Sequence, residues 1–190
     1  NYFDLDGSND SIECTTIKDD VDNGQSVSME VWFKCSSSQS GEGIICGFAG
    51  SSGDAGMDIG VKPSTGLLYI SQGDGSTGVG DDIRDNKWHH AVMTMTSSIK
   101  KLYLDGILID SSSASNRGTF PNDFHIGTWA DDAYNGYYYK GAVGQVRIYT
   151  AELTQAQIRA NYDATRTLYQ GVGTTGNVLQ TGLLNSIDID

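Results

Sequence analysis

The chain has 190 residues with 24 glycines and only 2 prolines, enough for one sandwich with a real core and suited to many short strands joined by tight turns. Its formal charge of −12 and pI near 4.4 exclude a general phosphate-binding surface, which needs clustered Lys and Arg, so nucleic acid is not an expected partner. No apolar run approaches the ~20 residues that span a bilayer, and three cysteines leave at least one unpaired, which excludes a disulfide framework. No signal peptide is evident, and the first residue is Asn1 rather than Met, so the chain is expected to be processed or cut from something longer. The acidic excess is mostly aspartate without a long block of like charge, a pattern of solvated loops or of metal binding.

Tyr2 to Leu5 and Ser11 to Cys14 read as short strands around Asp6-Gly7-Ser8-Asn9-Asp10, an oxygen-rich turn. In Ser26 to Cys35 the residues Val27, Met29, Val31, Phe33 and Cys35 alternate with Ser28, Glu30, Trp32 and Lys34, so the first set is assigned to the core. Trp32, on the other face, reads as packed under a covering loop, with a ligand platform as the alternative. Gly43 to Phe48, Met57 to Val61 and Leu67 to Ser71 are further strands, followed by a polar loop, Gln72 to Gly80. Cys35 and Cys46 end and begin neighbouring strands, and read either as a bridged pair or as small buried hydrophobes. Trp88 to Thr96 precedes a hairpin of Lys101 to Leu104 and Ile107 to Ile109, joined by Asp105-Gly106, the pair favoured in a type I′ turn. His89 and His90 are adjacent on a strand and point to opposite faces, so they cannot both ligate one metal in the usual way. His125 stands alone in the strand Phe124 to Thr128.

Asp110 to Asn122 reads as a Ser-rich crossing. The run Trp129 to Gly136 is chemically the richest: Trp129, Asp131, Asp132, Tyr134 and Asn135 offer the mixture of aromatic face and polar groups that stacks on and hydrogen-bonds a sugar. Val146, Ile148 and Thr150 alternate against Gln145, Arg147 and Tyr149 as a central strand. Thr154 then starts a helix over about Gln155 to Arg166, with Gln157 completing a capping box and Leu153 with Ile158 as hydrophobic staple. The core is predicted to include Val27, Met29, Val31, Phe33, Val92, Met95, Leu102, Leu104, Val146 and Ile148. Residues 1–166 form one domain and 167–190 a tail. From Gly171 the tail carries no charge until Asp188, and its Val178-Leu179 and Leu183-Leu184 pairs need a partner, which could be a sheet of this domain, a neighbouring subunit or another module. Since an isolated segment cannot offset its ordering entropy, contact with another chain or module is the expected source of order.

The run Gly141 to Ile158 resembles the terminal strand and helix of laminin-G-like, concanavalin A-like jelly rolls, matching at Gly141, Val146, Arg147, Ile148, Tyr149, Leu153 and Ile158. Gly144 and Gln145 stand where that family often has an acidic pair. Tyr2 to Asp10, Ser28 to Phe33, Trp88 to Val92 and Leu102 to Gly106 are similar to further family motifs in the same order. The resemblance implies an all-β, two-sheet antiparallel jelly-roll sandwich with one short C-terminal helix. It also implies a structural calcium near Asp6, Asn9 and Asp10, whose shell would be completed by a carbonyl near Gly144.

Glycoside hydrolases of this sandwich class need two carboxylates about 5–10 Å apart across the scissile bond. The only glutamates, Glu13, Glu30, Glu42 and Glu152, do not form the alternating set that a strand would supply, and no nucleophile elbow or metal-protease His pair is present. The domain is therefore expected to be non-catalytic, and the resemblance, which extends through Arg147-Ile148-Tyr149, Leu153-Thr154, Asn161-Tyr162 and Ala164-Thr165-Arg166, implies a carbohydrate- or surface-binding module, a lectin-like adhesion part of a virion appendage such as a phage fibre, a decoration protein or a cell-surface assembly. Its partners would be a glycan or surface polysaccharide and other protein subunits through the tail, and its address the virion or the extracellular surface. The alternative is a purely structural subunit, and a glycoside hydrolase is the weaker third.

Overall fold

The computed structural model describes residues 1–15, 17, 21, 26–48, 56–72, 78–114, 120, 123–129 and 137–171. Among them are twelve strands and one helix. They are β1 (Phe3–Asp6), β2 (Ile12–Cys14), β3 (Val27–Cys35), β4 (Gly43–Phe48), β5 (Met57–Val61), β6 (Leu67–Ser71), β7 (Val79–Asp82), β8 (Trp88–Met95), β9 (Ile99–Leu104), β10 (Ile107–Ser113), β11 (Phe124–Ile126), β12 (Lys140–Tyr149) and α1 (Gln155–Tyr169). Two six-stranded antiparallel sheets form, in the orders β1-β12-β3-β8-β9-β10 and β2-β11-β4-β5-β6-β7. This is the expected jelly-roll sandwich.

Alternation on β3 decides the core. Val27, Met29, Val31, Phe33 and Cys35 are fully buried between the sheets, facing Ile45, Phe48, Met57 and Ile59 of the second sheet. Met95 and Leu102 join them as predicted, but Leu104, Val146 and Ile148 are only partly buried against that core. Val92 faces the other way. It packs with Tyr103, Leu153 and Ile158 under α1, because Ala91 and Met93 take the inward positions on its strand. Cys35 and Cys46 are unpaired and buried, as small core side chains, and burial pushes the Cys35 thiol up to about 12.

Two strands lie where loops were expected. β7 occupies Val79–Asp82, and β10 continues through Ser113 despite its serines, since Ser111, Ser112 and Ser113 pair with Lys101, Lys100 and Ile99. A ladder needs backbone groups, and at a sheet edge polar side chains are tolerated. The Asp105-Gly106 turn has φ of +50° and +79°, as a type I′ hairpin requires.

The helix forms on its capping box: the Gln157 N–H donates to Thr154 Oγ1 and the Thr154 N–H to Gln157 Oε1. It runs three residues past the expected end because its last turn has a seat. Ile158, Tyr162 and Thr165 form its buried stripe, and Trp32, fully buried, lies against it. The indole ring stacks on Tyr169 at 4.7 Å and Tyr162 at 5.8 Å, and its N–H donates to Thr165 Oγ1 at 2.9 Å. Trp32 is thus a packing residue, covered by a helix and not by a loop. Beside it, buried Glu30 accepts from Arg147 Nη1 at 2.6 Å, Asn161 Nδ2 at 2.7 Å and the Tyr149 hydroxyl at 3.1 Å, with His90 Nε2 3.2 Å away. Burial pushes the carboxyl up, but His90, Asn161 and Arg147 together outweigh it and hold the acid below its ordinary range.

On the outward face of the second sheet Asp58 is buried, with Ser71 Oγ 2.7 and 2.9 Å from its two oxygens. Burial is the main cause that raises it from 3.8 to about 6.

Two outcomes follow from these buried groups. Trp32→Ala should lower stability by roughly 3–5 kcal/mol as a cavity mutation, read as a drop in the denaturant midpoint; an unchanged midpoint would mean that the helix does not depend on this seat. For Asp58, the folded value lies above the unfolded one, so its contribution is complete below about pH 4 and is lost as pH rises through about 6. Asp58→Asn should therefore match the parent near pH 4 and exceed it by up to about 3 kcal/mol near pH 8. A difference that is flat with pH would show that the carboxyl does not titrate in this window.

Candidate functional site

The Trp129 loop is fastened at both ends to β4. On the incoming arm the Gly127 N–H donates to the Ile45 carbonyl at 3.0 Å. On the outgoing arm the Tyr137 carbonyl accepts from the Ile44 N–H at 3.0 Å, and the Tyr139 N–H donates to the Gly127 carbonyl at 2.9 Å. Trp129 sits half-buried at the start of this loop, its carbonyl accepting from Thr128 Oγ1 at 3.3 Å. Asp131, Asp132, Tyr134 and Asn135 lie outside the described residues.

The neighbours of this loop come from strands whose outward faces the sequence reading left unassigned. Ile44 pairs with Gly60, and Gly60 with Tyr69, so one row across the sheet leads from the loop's outgoing arm to the Tyr69 ring. A Cβ at position 60 would come within 2.5 Å of that ring, so only glycine lets the phenol lie flat on the sheet. Lys62 Nζ stands 4.2 Å above the ring centroid and 3.2 Å from Glu42 Oε1. Burial first, then the charges of Asp58 and Glu42, push the Tyr69 phenol upward. The signal available in the sequence was Asp58 and Gly60 interrupting the apolar Met57, Ile59 and Val61, which marks the outward face of β5 but not what gathers on it.

The arrangement at the rim is two half-buried tyrosines, Tyr137 and Tyr138, a half-buried indole and the Lys62–Glu42 ion pair. Such a rim can stack on a flat apolar face and donate or accept hydrogen bonds around it. Further along the sheet, His125 lies across from Glu13, Nε2 to Oε1 3.7 Å, and its Nδ1 is 2.9 Å from the Asp123 carbonyl. His89 and His90 do point to opposite faces, His89 to Asp105 and Asp85, His90 to Glu30.

At the loop Asp6-Gly7-Ser8-Asn9-Asp10, Asp6 Oδ1 accepts from the Ser8 N–H at 2.7 Å and Asp10 Oδ2 from the Asp6 N–H at 2.9 Å. One oxygen of each carboxylate is thus engaged in closing the turn. Among the described residues no three His, Cys, Asp or Glu side chains gather as a metal site. The register also moves Gly144 away: Lys140 lies across from Asp6 and Val143 across from Phe3, so Gly144 is at the far end of β1, about 13 Å along the strand.

No curated protein matches the chain. Among solved structures, the receptor binding domain of botulinum neurotoxin D is 17% identical over 87% of this chain and 44% of that chain, with a TM-score of 0.65. A protein from Bacteroides ovatus assigned as carbohydrate binding is 15% identical over 83% of this chain and 47% of that one, with a TM-score of 0.62. Trypanosoma rangeli sialidase is 17% identical over 77% of this chain but 24% of its own, with a TM-score of 0.61. The chain spans less than half the length of each, and at these identities the likeness is one of fold. Residues 6–159 match the family model of the concanavalin A-like lectin/glucanases superfamily, laminin-G type, and the chain belongs to that superfamily.

Proposed function

We propose that this domain is a non-catalytic carbohydrate- or surface-binding module, carried on a virion appendage, a decoration protein or a cell-surface assembly. The observation that carries it is the placement of Trp129 at a loop stapled to β4 beside Tyr137, Tyr138 and the Lys62–Glu42 pair. In this reading Trp129 and Tyr134 stack on the sugar while Asp131, Asp132 and Asn135 bond its hydroxyls. The glutamates support binding over hydrolysis, since each already has a partner: Glu13 faces His125, Glu30 holds Arg147, Glu42 holds Lys62 and Glu152 holds Lys101 at 2.7 Å. The botulinum and Bacteroides ovatus neighbours, by their descriptions, are binding domains, which agrees with this reading. A purely structural subunit is the alternative, and the same experiment separates them. On a glycan array, the parent should retain particular glycans and Trp129→Ala, with an unchanged thermal midpoint, should bind them at least about tenfold more weakly. Equal retention by the variant would remove the loop from recognition, and an array with no retained glycan would favour the structural subunit.

Calcium at Asp6, Asn9 and Asp10 is a separate part of the proposal. The fit is partial: two carboxylates keep one oxygen each for a cation and Asn9 adds an amide, so turn carbonyls and water would have to fill calcium's six to eight positions. When bound, the ion would clamp the turn between β1 and β2. At a hundredfold excess over its dissociation constant it adds about 2.7 kcal/mol, each of which moves the midpoint by roughly 2–4 °C in a chain of this size. A melt in ~10 mM calcium should exceed one in chelator by several degrees, and Asp6→Ala should abolish that difference. Coincident midpoints would leave the loop an Asx turn closed by its own hydrogen bonds.

A further inference from the structure

Both ring nitrogens of His89 face carboxylates. Nδ1 lies 3.0 Å from Asp105 Oδ2 and Nε2 lies 3.3 Å from Asp85 Oδ1, with the histidine side chain only 17% exposed. A neutral imidazole carries one N–H, so it could bond one of these acids and would turn a lone pair on the other. Only the imidazolium satisfies both. Burial by itself disfavours that charge, but Asp105 first and Asp85 second outweigh it and hold the His89 pKa above its ordinary value. The cations nearby are paired with other groups: the Lys87 ammonium lies 3.3 Å from Asp85 Oδ2, and Arg84 lies 2.7 Å from Asp82. From β3 the ring meets Phe33, with the centroids 5.8 Å apart.

The two acids differ in what else holds them. Asp105 sits in the β9–β10 turn, where its N–H donates to the His90 carbonyl at 2.8 Å and its Oδ1 accepts from the His90 N–H at 2.9 Å. It is fixed by backbone, and its other side-chain neighbour, Gln170 Nε2 at 3.4 Å, is neutral. Asp85 begins the bend Asp85-Asn86-Lys87, accepts from the Lys87 N–H at 2.9 Å and has the Lys87 ammonium as an alternative cation. When the ring is neutral, its one proton therefore stays on Nδ1, at the shorter contact and against the acid that has no cation of its own. Nε2 then turns a lone pair on Asp85, and that contact opens. What it secures is the bend. Asn86 stands at φ +58°, donates its N–H to the Cys35 carbonyl at 3.1 Å and shares two side-chain bonds with Ser37, at 3.0 and 3.2 Å.

We propose that His89 is a proton-operated clasp, closed on Asp85 and Asp105 when the ring is cationic and open at Asp85 when it is neutral, so that the bend Asp85-Asn86-Lys87 loosens from the end of β3 as pH rises. The clasp does not depend on the proposed glycan binding. Because the folded value lies above the unfolded one of about 6.5, the closed state is complete below that pH and is lost as pH rises through the folded value. In a nitrogen NMR spectrum of the imidazoles of the full chain, both His89 nitrogens should be protonated near pH ~6, and the midpoint should lie above ~6.5. The neutral ring should keep its proton on Nδ1, and Asp105→Asn and Asp85→Asn should each lower the midpoint. Above the midpoint the Asn86 amide, corrected for the intrinsic rise of exchange with pH, should be at least about tenfold less protected, while the Gln170 amide keeps its protection. His89→Gln, which does not titrate, should remove the step at Asn86. Asp85→Asn should remove it too, and serves where the glutamine variant fails to fold. A bare ring nitrogen near pH ~6, a midpoint at or below ~6.5, an Asn86 protection that is flat through the midpoint, or a step at Gln170 in place of Asn86 would each overturn the proposal.

Discussion

A carboxylate taken out of water sets the terms for the first sheet. Glu30 is buried on the face away from the core, where an unpaired charge would cost several kcal/mol, so the sheet is stable only when something brings it partners. Arg147 and Tyr149 come from the adjacent strand and Asn161 from the helix, more than one hundred residues along the chain. Trp32, two residues on along the same face of β3, offers the apolar surface against which Tyr162 and Tyr169 stack. Polar satisfaction and ring packing therefore require the same helix in the same place. That is why α1 docks on a sheet face which in a two-layer sandwich would otherwise be wet, and why the core list alone under-describes what holds the fold.

The same logic recurs with a different solution on the second sheet. Asp58 is also buried on an outward face, but its close partner is a neutral hydroxyl, Ser71, so it meets burial by taking up its proton more readily, not by pairing with a cation. Tyr69 and Lys62 lie beside it over Gly60. One sheet thus spends its outer face on the helix, and the other keeps on its outer face a set of polar and aromatic groups that reaches the rim at the Trp129 loop. The second sheet therefore keeps an outer face that the helix does not cover, whereas the first has its centre under α1.

Local rules made much of the fold legible. The alternation in β3 gave the facing of every residue from Val27 to Cys35, Asp105-Gly106 turned where its positive φ tolerance dictates, and Thr154 with Gln157 started the helix. What failed was tertiary. Val92 and Ala91 are both apolar, and only the helix on the far side decides which of them is inside. Val146 and Ile148 have the right period but stand where β1 is too short to cover them. Tyr169 lies beyond the expected helix end because the stack on Trp32, a long-range contact, extends it. At the candidate site the loop was visible as composition, since aromatic and polar residues are contiguous there. Lys62, Glu42 and Tyr69 were not, because strand pairing assembles them from three separate segments.

Strand lengths also carry an argument about how the domain is finished. In a closed sandwich each edge strand is as long as its neighbour or is covered; here β1 covers four residues of a ten-residue β12. The half-buried Val146 and Ile148 show that the apolar pattern of β12 continues past the point where its covering strand stops.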